Sequence, residues 1–270
     1  MTKTPLIMSD DRKQHLIRSL DAGIRLDGRR KDEFRPITIE LGVSSTAEGS
    51  ARVRFGDSTV IAGVKMGFGK PYPDTPDSGV LMVNAEFLPL SNPEFEAGPP
   101  SIESIEAARV IDRGIRESHA FDVKSLCVEE GESVWMVQCD VMPLDFDGNM
   151  IDLGGLAALA ALLDARFPKV GEDNKVDYHT KTDQRLELQR LPIPITIGKI
   201  GKHLIVDPTQ EEESALDARL TLTLLEDGNL CALQKGGFAP FTIDEIKEMM
   251  RLADEKSREL RAKLLEVTKQ

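Results

Sequence analysis

Gly98-Pro99-Pro100-Ser101-Ile102-Glu103-Ser104-Ile105-Glu106-Ala107-Ala108-Arg109-Val110-Ile111-Asp112-Arg113-Gly114-Ile115-Arg116-Glu117-Ser118 reads as a helix with a marked start. Gly98-Pro99-Pro100 cannot propagate a helix, and the Ser101 hydroxyl can accept from the first free backbone N–H groups. Glu103 and Glu106 follow where the positive helix end favours anions. At about 100° per residue, Arg109, Arg113 and Arg116 fall within an arc of roughly 60°. Ala107, Ala108, Ile111, Gly114 and Ile115 lie opposite, on the face a core would take. The arginine row has two readings. One is a solvated face with Glu106–Arg109, Asp112–Arg116 and Arg113–Glu117 as helical ion pairs worth tenths of a kcal/mol. The other is contact with a phosphate backbone, since guanidinium forks match phosphate oxygens and carry no base preference. Local sequence leaves both open.

Upstream of this helix, Leu16, Ile17, Leu20 and Ile24 recur at helical spacing from Asp10 to Ile24. Ile37 to Gly42, Ser50 to Phe55 and Thr59 to Lys65 predict a small antiparallel meander, with a turn at Gly56-Asp57-Ser58. Met66 to Gly79 predicts a long loop and Val80 to Pro89 a strand. Downstream, Leu126 to Val128 and Val134 to Leu144 predict strands, with Trp135 a core residue. Asp145-Phe146-Asp147-Gly148-Asn149 is a turn into Met150 to Phe167, a helix apolar almost all round and therefore buried. Pro168 to Arg190 is polar and loop-like, a boundary between halves. Ile193 to Lys199, Leu204 to Asp207, Ala218 to Leu225 and Asn229 to Lys235 then predict strands. Thr242-Ile243-Asp244-Glu245 is a capping box opening a helix to about Val267. A strand meander followed by a helix, twice over, points to an α+β fold of two related halves. The expected division is an extension at 1–24, a first module at 25–190 and a second at 191–270.

Composition narrows the function. The formal net charge is −12, so any nucleic-acid contact is a local basic patch in an acidic surface. No apolar run is long enough to span a membrane, and Met1 to Ser9 lacks the pattern of a secretion signal. Cys127, Cys139 and Cys231 are odd in number and set in apolar runs, which predicts buried thiols in a reducing cytoplasm. The four histidines show no metal spacing. No P-loop, G-x-S-x-G or H-E-x-x-H motif occurs, and no cofactor is implied. The turn at Asp147-Gly148-Asn149 opens a helix N-terminus, a natural anion site. Met150 and Ile151 follow, and neither side chain donates a hydrogen bond, so the turn is expected to pack. Asp207, Glu211, Glu212, Glu213 and Asp217 follow a strand. A carboxylate pair there could hold Mg²⁺ or protonate a leaving oxygen. With no Arg or Lys close by in sequence, a solvated acidic loop without partners is the expectation.

Leu26-Asp27-Gly28-Arg29, Glu33, Arg35 and Ile37, the meander with Gly56-Asp57-Ser58-Thr59-Val60, and Asp145 to Arg166 resemble the RNase PH family. Phe95-Glu96-Ala97-Gly98-Pro99-Pro100 with Ala108-Arg109-Val110-Ile111-Asp112-Arg113 resembles one branch of it, the non-catalytic ring subunits of the archaeal exosome. The resemblance runs from about Ile24 to the C-terminal helix. It implies the RNase PH-like, ribosomal protein S5 domain 2-like fold, and a hexameric ring of three heterodimers with a homologous catalytic subunit. RNA-binding cap proteins and single-stranded RNA would be further partners. Such a ring degrades RNA from the 3′ end, inorganic phosphate attacking the terminal phosphodiester and releasing nucleoside diphosphates.

Carried over residue by residue, the resemblance implies an inactive subunit. Active members have Ser or Thr, then Arg, where this chain has Met150 and Ile151, so the attacking phosphate would lose a hydroxyl and a guanidinium. Of two aspartates spaced six apart in active members, Asp207 matches the first and Glu213 stands at the second. Loss of preorganised charge around phosphate costs several kcal/mol of transition-state stabilisation. Arg109 and Arg113 match the branch's RNA-contacting positions, and Arg116 matches less closely. Lys65 and Lys70 flank the loop that lies near the ring entrance in this family. The alternatives are a self-sufficient phosphorolytic exoribonuclease, which needs a cation near Asp207 in space, and a pure scaffold with its arginines in internal pairs.

Overall fold

The computed structural model describes residues 9–171 and 175–268. Residues 1–8, which carry most of the segment read for a secretion signal, lie outside the described residues, as do 172–174 in the expected inter-module loop. Asp10–Asp21 (α1) is capped by the Ser9 side chain and turns Leu16 and Leu20 inward. Ile37–Leu41 (β1), Gly49–Phe55 (β2) and Ser58–Gly69 (β3) form the antiparallel meander the alternation predicts. β3 runs on through Gly69, taking the start of the expected Met66 to Gly79 loop.

Val80–Ala85 (β4) leads to Ile102–Glu117 (α2), and the chain returns through Cys127–Glu129 (β5) and Ser133–Asp145 (β6). β6 lies antiparallel to β3 and parallel to β4, giving the order β1-β2-β3-β6-β4, with β5 also on β6. α2 is therefore the crossover of one parallel pair within an otherwise antiparallel sheet. Along β6, Val137, Cys139 and Val141 are buried while Gln138 and Asp140 face out, the two-residue period of a sheet with one covered face.

Met150–Asp164 (α3) is buried from Met150 to Leu162 because it has sheet on both sides. It packs on β2, β3 and β6, and also on Ile193–Ile200 (β9) of a second sheet. Leu153, Leu156, Leu159 and Leu162 are essentially solvent-free, each worth about 2 kcal/mol of burial. The second sheet runs β10-β9-β11-β12, all antiparallel, with His203–Val206 (β10), Ala218–Leu224 (β11) and Leu230–Gly237 (β12). Gln210–Ala215 (α4) joins β10 to β11. Ile243–Thr268 (α5) opens on a reciprocal cap: Thr242 N–H donates to Glu245 at 2.8 Å, and Glu245 N–H to Thr242 Oγ1 at 3.2 Å. One continuous core joins both sheets through α3, and Leu16 and Leu20 of α1 pack on Ile200 and Ile205 of the second sheet.

Two expectations need correction here. Pro168 to Arg190 is not simply a loop: Arg166–Val170 (β7) pairs with Val176–Arg185 (β8) as a hairpin. Its polar composition records two solvent-facing sides rather than absence of strand. Of the three thiols expected to be buried, only Cys139 is fully so; Cys127 and Cys231 are half-buried and all three are free. Trp135 lies in the core against Phe68 and Phe167, as expected. Among the described residues no helix is long and apolar enough to cross a membrane.

Candidate nucleic-acid interface and a buried carboxylate cluster

α2 starts where the sequence requires, with the Ser101 hydroxyl accepting from the Ser104 N–H at 3.2 Å. Ala107, Val110, Ile111, Gly114 and Ile115 are buried, and the arginines emerge on the other side. The three do not share one environment. Arg109 is exposed and makes no hydrogen bond or ion pair among the described residues. Arg113 is half-buried and its Nη1 donates to Gln234 Oε1 on β12 at 3.1 Å. Arg116 is exposed and paired with Asp112 at 2.7 Å. Of the three helical ion pairs expected, only that last one forms. Glu106 turns instead to Arg219 of β11, at 2.6 Å, because the second sheet packs beside α2 and offers a nearer, less solvated partner. Lys65 is committed inside the fold, to the Thr46 carbonyl (2.9 Å), to Glu48 (2.7 Å) and over the Tyr178 ring. Lys70 is exposed, 3.7 Å from Glu132.

The acidic stretch after β10 overturns the expectation of a solvated, partnerless loop. Asp207 is completely buried, with φ 50°. Its Oδ1 accepts from Arg35 Nη2 (2.7 Å) and Asn149 Nδ2 (2.8 Å). Its Oδ2 accepts from Arg29 Nη1 (2.8 Å) and from both Nε and the backbone N–H of Arg35 (2.9 Å each). Glu212 is buried too and takes the guanidinium of Arg25, itself solvent-free, while its own carboxylate closes a capping box with Thr209 at the start of α4. Glu213 Oε1 accepts the backbone N–H of Asn149 at 2.7 Å. Even the outer acids are paired, Asp217 with Lys13 and Glu211 with Arg12. The partners stand about 180 residues earlier in the chain, so sequence proximity hid them. The density of arginine at Arg25, Arg29 and Arg35 was the available signal, since such residues are buried only when paired.

Electrostatics separates the carboxyls. Burial pushes Asp207 up, but the hydrogen bonds and charge of Arg35 outweigh it and hold the group below the ordinary carboxylate range. Burial dominates at Glu213, raised to about 7 against the opposing Asn149 N–H and the Arg219 charge. Asp152, in the first turn of α3, is likewise raised to about 7 by burial, with Oδ2 accepting the Thr196 N–H at 2.9 Å.

Met150 and Ile151 are buried in the core at the head of α3. They also line a cavity of ≈330 Å³, together with Phe87, Phe95, Phe146, Glu213 and Arg219. Arg219 is the one cation in that lining among the described residues, and it is bound to Glu106. Arg29 and Arg35 spend their forks on Asp207 and its neighbours. Only Arg219 Nη2 is on Glu106; its Nη1 is buried without a hydrogen-bond partner among the described residues, so the cavity keeps one unused guanidinium donor beside its carboxyl groups.

This fold and sequence place the chain in the 3′ exoribonuclease, or RNase PH, family: residues 33–168 match its domain 1 and residues 190–256 its domain 2. Within the family the chain is 44% identical over 262 residues to the exosome complex component Rrp42 of Methanocella arvoryzae, covering 96% of this chain and 97% of that one. The fold matches a chain of the Archaeoglobus fulgidus exosome solved with RNA bound to the active site, with TM-score 0.87 and 44% identity over 94% of this chain and 98% of that one. A chain of an archaeal exosome core matches with TM-score 0.83 and 42% identity, over 94% and 96%. The RNase PH-like α+β fold expected from the sequence is the observed one.

Proposed function

We propose that this chain is a non-catalytic ring subunit of an exosome that degrades RNA phosphorolytically from the 3′ end. It alternates with a homologous catalytic subunit in a trimer of heterodimers, works in the cytoplasm, and receives single-stranded RNA with cap proteins. Its relatives of the same length are exosome components, which supports the assembly. Its free thiols fit a reducing compartment. In this reading Arg109 and Arg113 hold RNA phosphates while the partner's site performs the chemistry. Arg116, already bound to Asp112, contributes less.

The observation that carries the reading is the contrast between two sets of arginines. Those around Asp207 have every fork engaged by a carboxylate or carbonyl, whereas Arg109 projects from a rigid helix with no partner among the described residues. With Met150 and Ile151 buried at the head of α3, the helix start offers an attacking phosphate no hydroxyl or guanidinium side chain, and Arg219 is the one cation left in the cavity wall among the described residues. The test is phosphate-dependent RNA decay by the purified chain, by the catalytic homologue, and by both together. The proposal expects none from the chain alone and the most from the pair. Activity of the chain alone, abolished by Asp207→Asn, would reverse it in favour of a self-sufficient exoribonuclease. The scaffold reading draws on Arg113–Gln234 and Arg116–Asp112, which are internal pairs. It holds if Arg109→Glu with Arg113→Glu leaves the RNA affinity of the assembled ring unchanged.

A further inference from the structure

Arg113 is tethered to the second sheet by a residue that leaves its charge intact. Its Nη1 donates to Gln234 Oε1 at 3.1 Å, and it makes no other hydrogen bond or ion pair among the described residues. A guanidinium has five N–H groups and accepts nothing, so the carbonyl end of the Gln234 amide must face it. The Nε2 end then faces Glu106 Oε1 at 3.5 Å, and Glu106 Oε2 takes Arg219 Nη2 at 2.6 Å. Strand register brings these groups together. Arg219 on β11 stands opposite Gly236 on β12, two residues along from Gln234 and on the same side of the strand. A Cβ at Gly236 would lie 2.7 Å from Arg219 Cζ, so the guanidinium occupies the space a side chain there would take.

Arg116 and Arg219 are held by carboxylates, Asp112 and Glu106, which offset their charge. Gln234 is neutral: it fixes the Arg113 guanidinium and offsets none of its charge. The Nε–Nη2 edge of the fork stays uncommitted, and two N–H groups side by side are what a phosphate takes in bidentate contact. Arg109, with no tether among the described residues, must give up its side-chain freedom on binding, whereas Arg113 has given up much of it on folding. From this geometry we infer that Gln234 is a positioning residue for RNA, holding Arg113 of α2 ready to take a backbone phosphate. The contact helix belongs to the first half of the chain and its tether to the second. The RNA surface is therefore complete only with the second sheet packed beside α2. The inference rests on the reading of Arg113 as a phosphate contact given above.

The test is fluorescence titration of the assembled ring with single-stranded RNA at several salt concentrations. Gln234→Met keeps the length of the side chain and the net charge but removes the acceptor. It should weaken RNA binding about threefold to tenfold, the worth of one hydrogen bond, and keep the wild-type salt slope. Arg113→Gln should instead lower the magnitude of that slope by about 0.7. Adding Gln234→Met to Arg113→Gln should cost nothing further, whereas adding it to Arg109→Gln should cost its full factor. Gln234→Thr, a strand former too short to reach Arg113, should repeat these results, and it decides if the methionine variant does not fold. Wild-type affinity in a folded Gln234 variant overturns the inference. So does an equal loss with and without Arg113, because the residue then acts through the packing of the sheet. If Arg113→Gln alone leaves affinity unchanged, the RNA contact at Arg113 is refuted and the inference falls with it.

Discussion

Asn149 and Asp207 meet at 2.8 Å, amide to carboxylate, and both carry left-handed backbone, with φ 58° and 50°. Asn149 is the last residue before α3 and Asp207 the first after β10, so the bond ties the head of the central helix to the second sheet. Asn and Asp are the non-glycine residues that tolerate this conformation best. Arg35, just ahead of β1, then brings the first sheet to the same carboxylate. Asp207 thus has its oxygens saturated by five protein donors. Its work is to join the two halves.

Asp207→Asn should therefore unfold the chain more easily without touching the ring's chemistry. The amide turns an N–H toward guanidinium donors and removes the buried counter-charge shared by Arg29 and Arg35, leaving them only the more exposed Asp27 and Asp147. Removing one partner of such a cluster costs about 3–5 kcal/mol. Urea denaturation should show that loss, while phosphorolysis by rings that do assemble stays at the wild-type rate.

The carboxyls give a pH dependence with two signs. Asp207 is held below its unfolded value of about 3.9, so its contribution is present above that pH and is lost as pH falls through the folded value. Glu213 and Asp152 are raised to about 7. Between about pH 4 and 7 the folded chain keeps protons that the unfolded chain has released. Stability then declines as pH rises through that window and levels off above 7, by at most about 1.4 kcal/mol per pH unit for each group. Urea midpoints at pH 5, 6, 7 and 8 should fall in that order up to 7, and Glu213→Gln with Asp152→Asn should flatten the trend. A midpoint that rises from pH 5 to 7 contradicts this assignment.

What the sequence made legible was local. The Ser101 cap, the Thr242–Glu245 box, the strand at Val134 to Leu144 and the apolar helix opening at Met150 are written in neighbouring residues and are found there, although the helix ends at Asp164 and Phe167 belongs to β7. The Asp207 cluster was not legible, because its bonds span more than 170 residues to Arg29 and Arg35. The same reason accounts for α4, a six-residue helix held by its capping box and by Glu212 pairing with buried Arg25. Charge runs face water by default, and only the fold shows which of them found a partner. On α2 the error ran the other way, since Glu106 and Arg113 leave their helical neighbours for Arg219 and Gln234.

Neutralising the outward arginines should weaken RNA binding without changing sequence preference. Arg109→Gln with Arg113→Gln removes two phosphate contacts, which lowers the magnitude of the log-affinity slope against log salt by about 1.4 for single strands. Arg116→Gln should do much less, because Asp112 already holds that guanidinium. Fluorescence titrations of the assembled ring with single-stranded RNA at several salt concentrations separate these outcomes, and equal effects of all three substitutions would refute the ranking.

Gly148 sets the approach of the two halves. Its φ is +82°, and a Cβ there would lie 2.7 Å from the Gln210 amide nitrogen, the Pro208 carbonyl oxygen and the Thr209 carbonyl carbon. All three are backbone atoms of the segment leading into α4, so no side chain can swing away. Its carbonyl also accepts from Ser58 Oγ at 3.1 Å, which pins the turn from the other side. Gly148→Ala adds left-handed strain of about 1–2 kcal/mol and overpacking of about 1–3 kcal/mol. Gly63→Ala, whose Cβ would meet only Ala47 Cβ at 3.9 Å in β3, should change stability by less than about 1 kcal/mol. Thermal melts of the two variants compare a glycine that spaces backbone against one that does not. If Gly148→Ala melts with the wild type, the turn yields more readily than its contacts imply, and the Asn149–Asp207 bond must be maintained by the arginines alone.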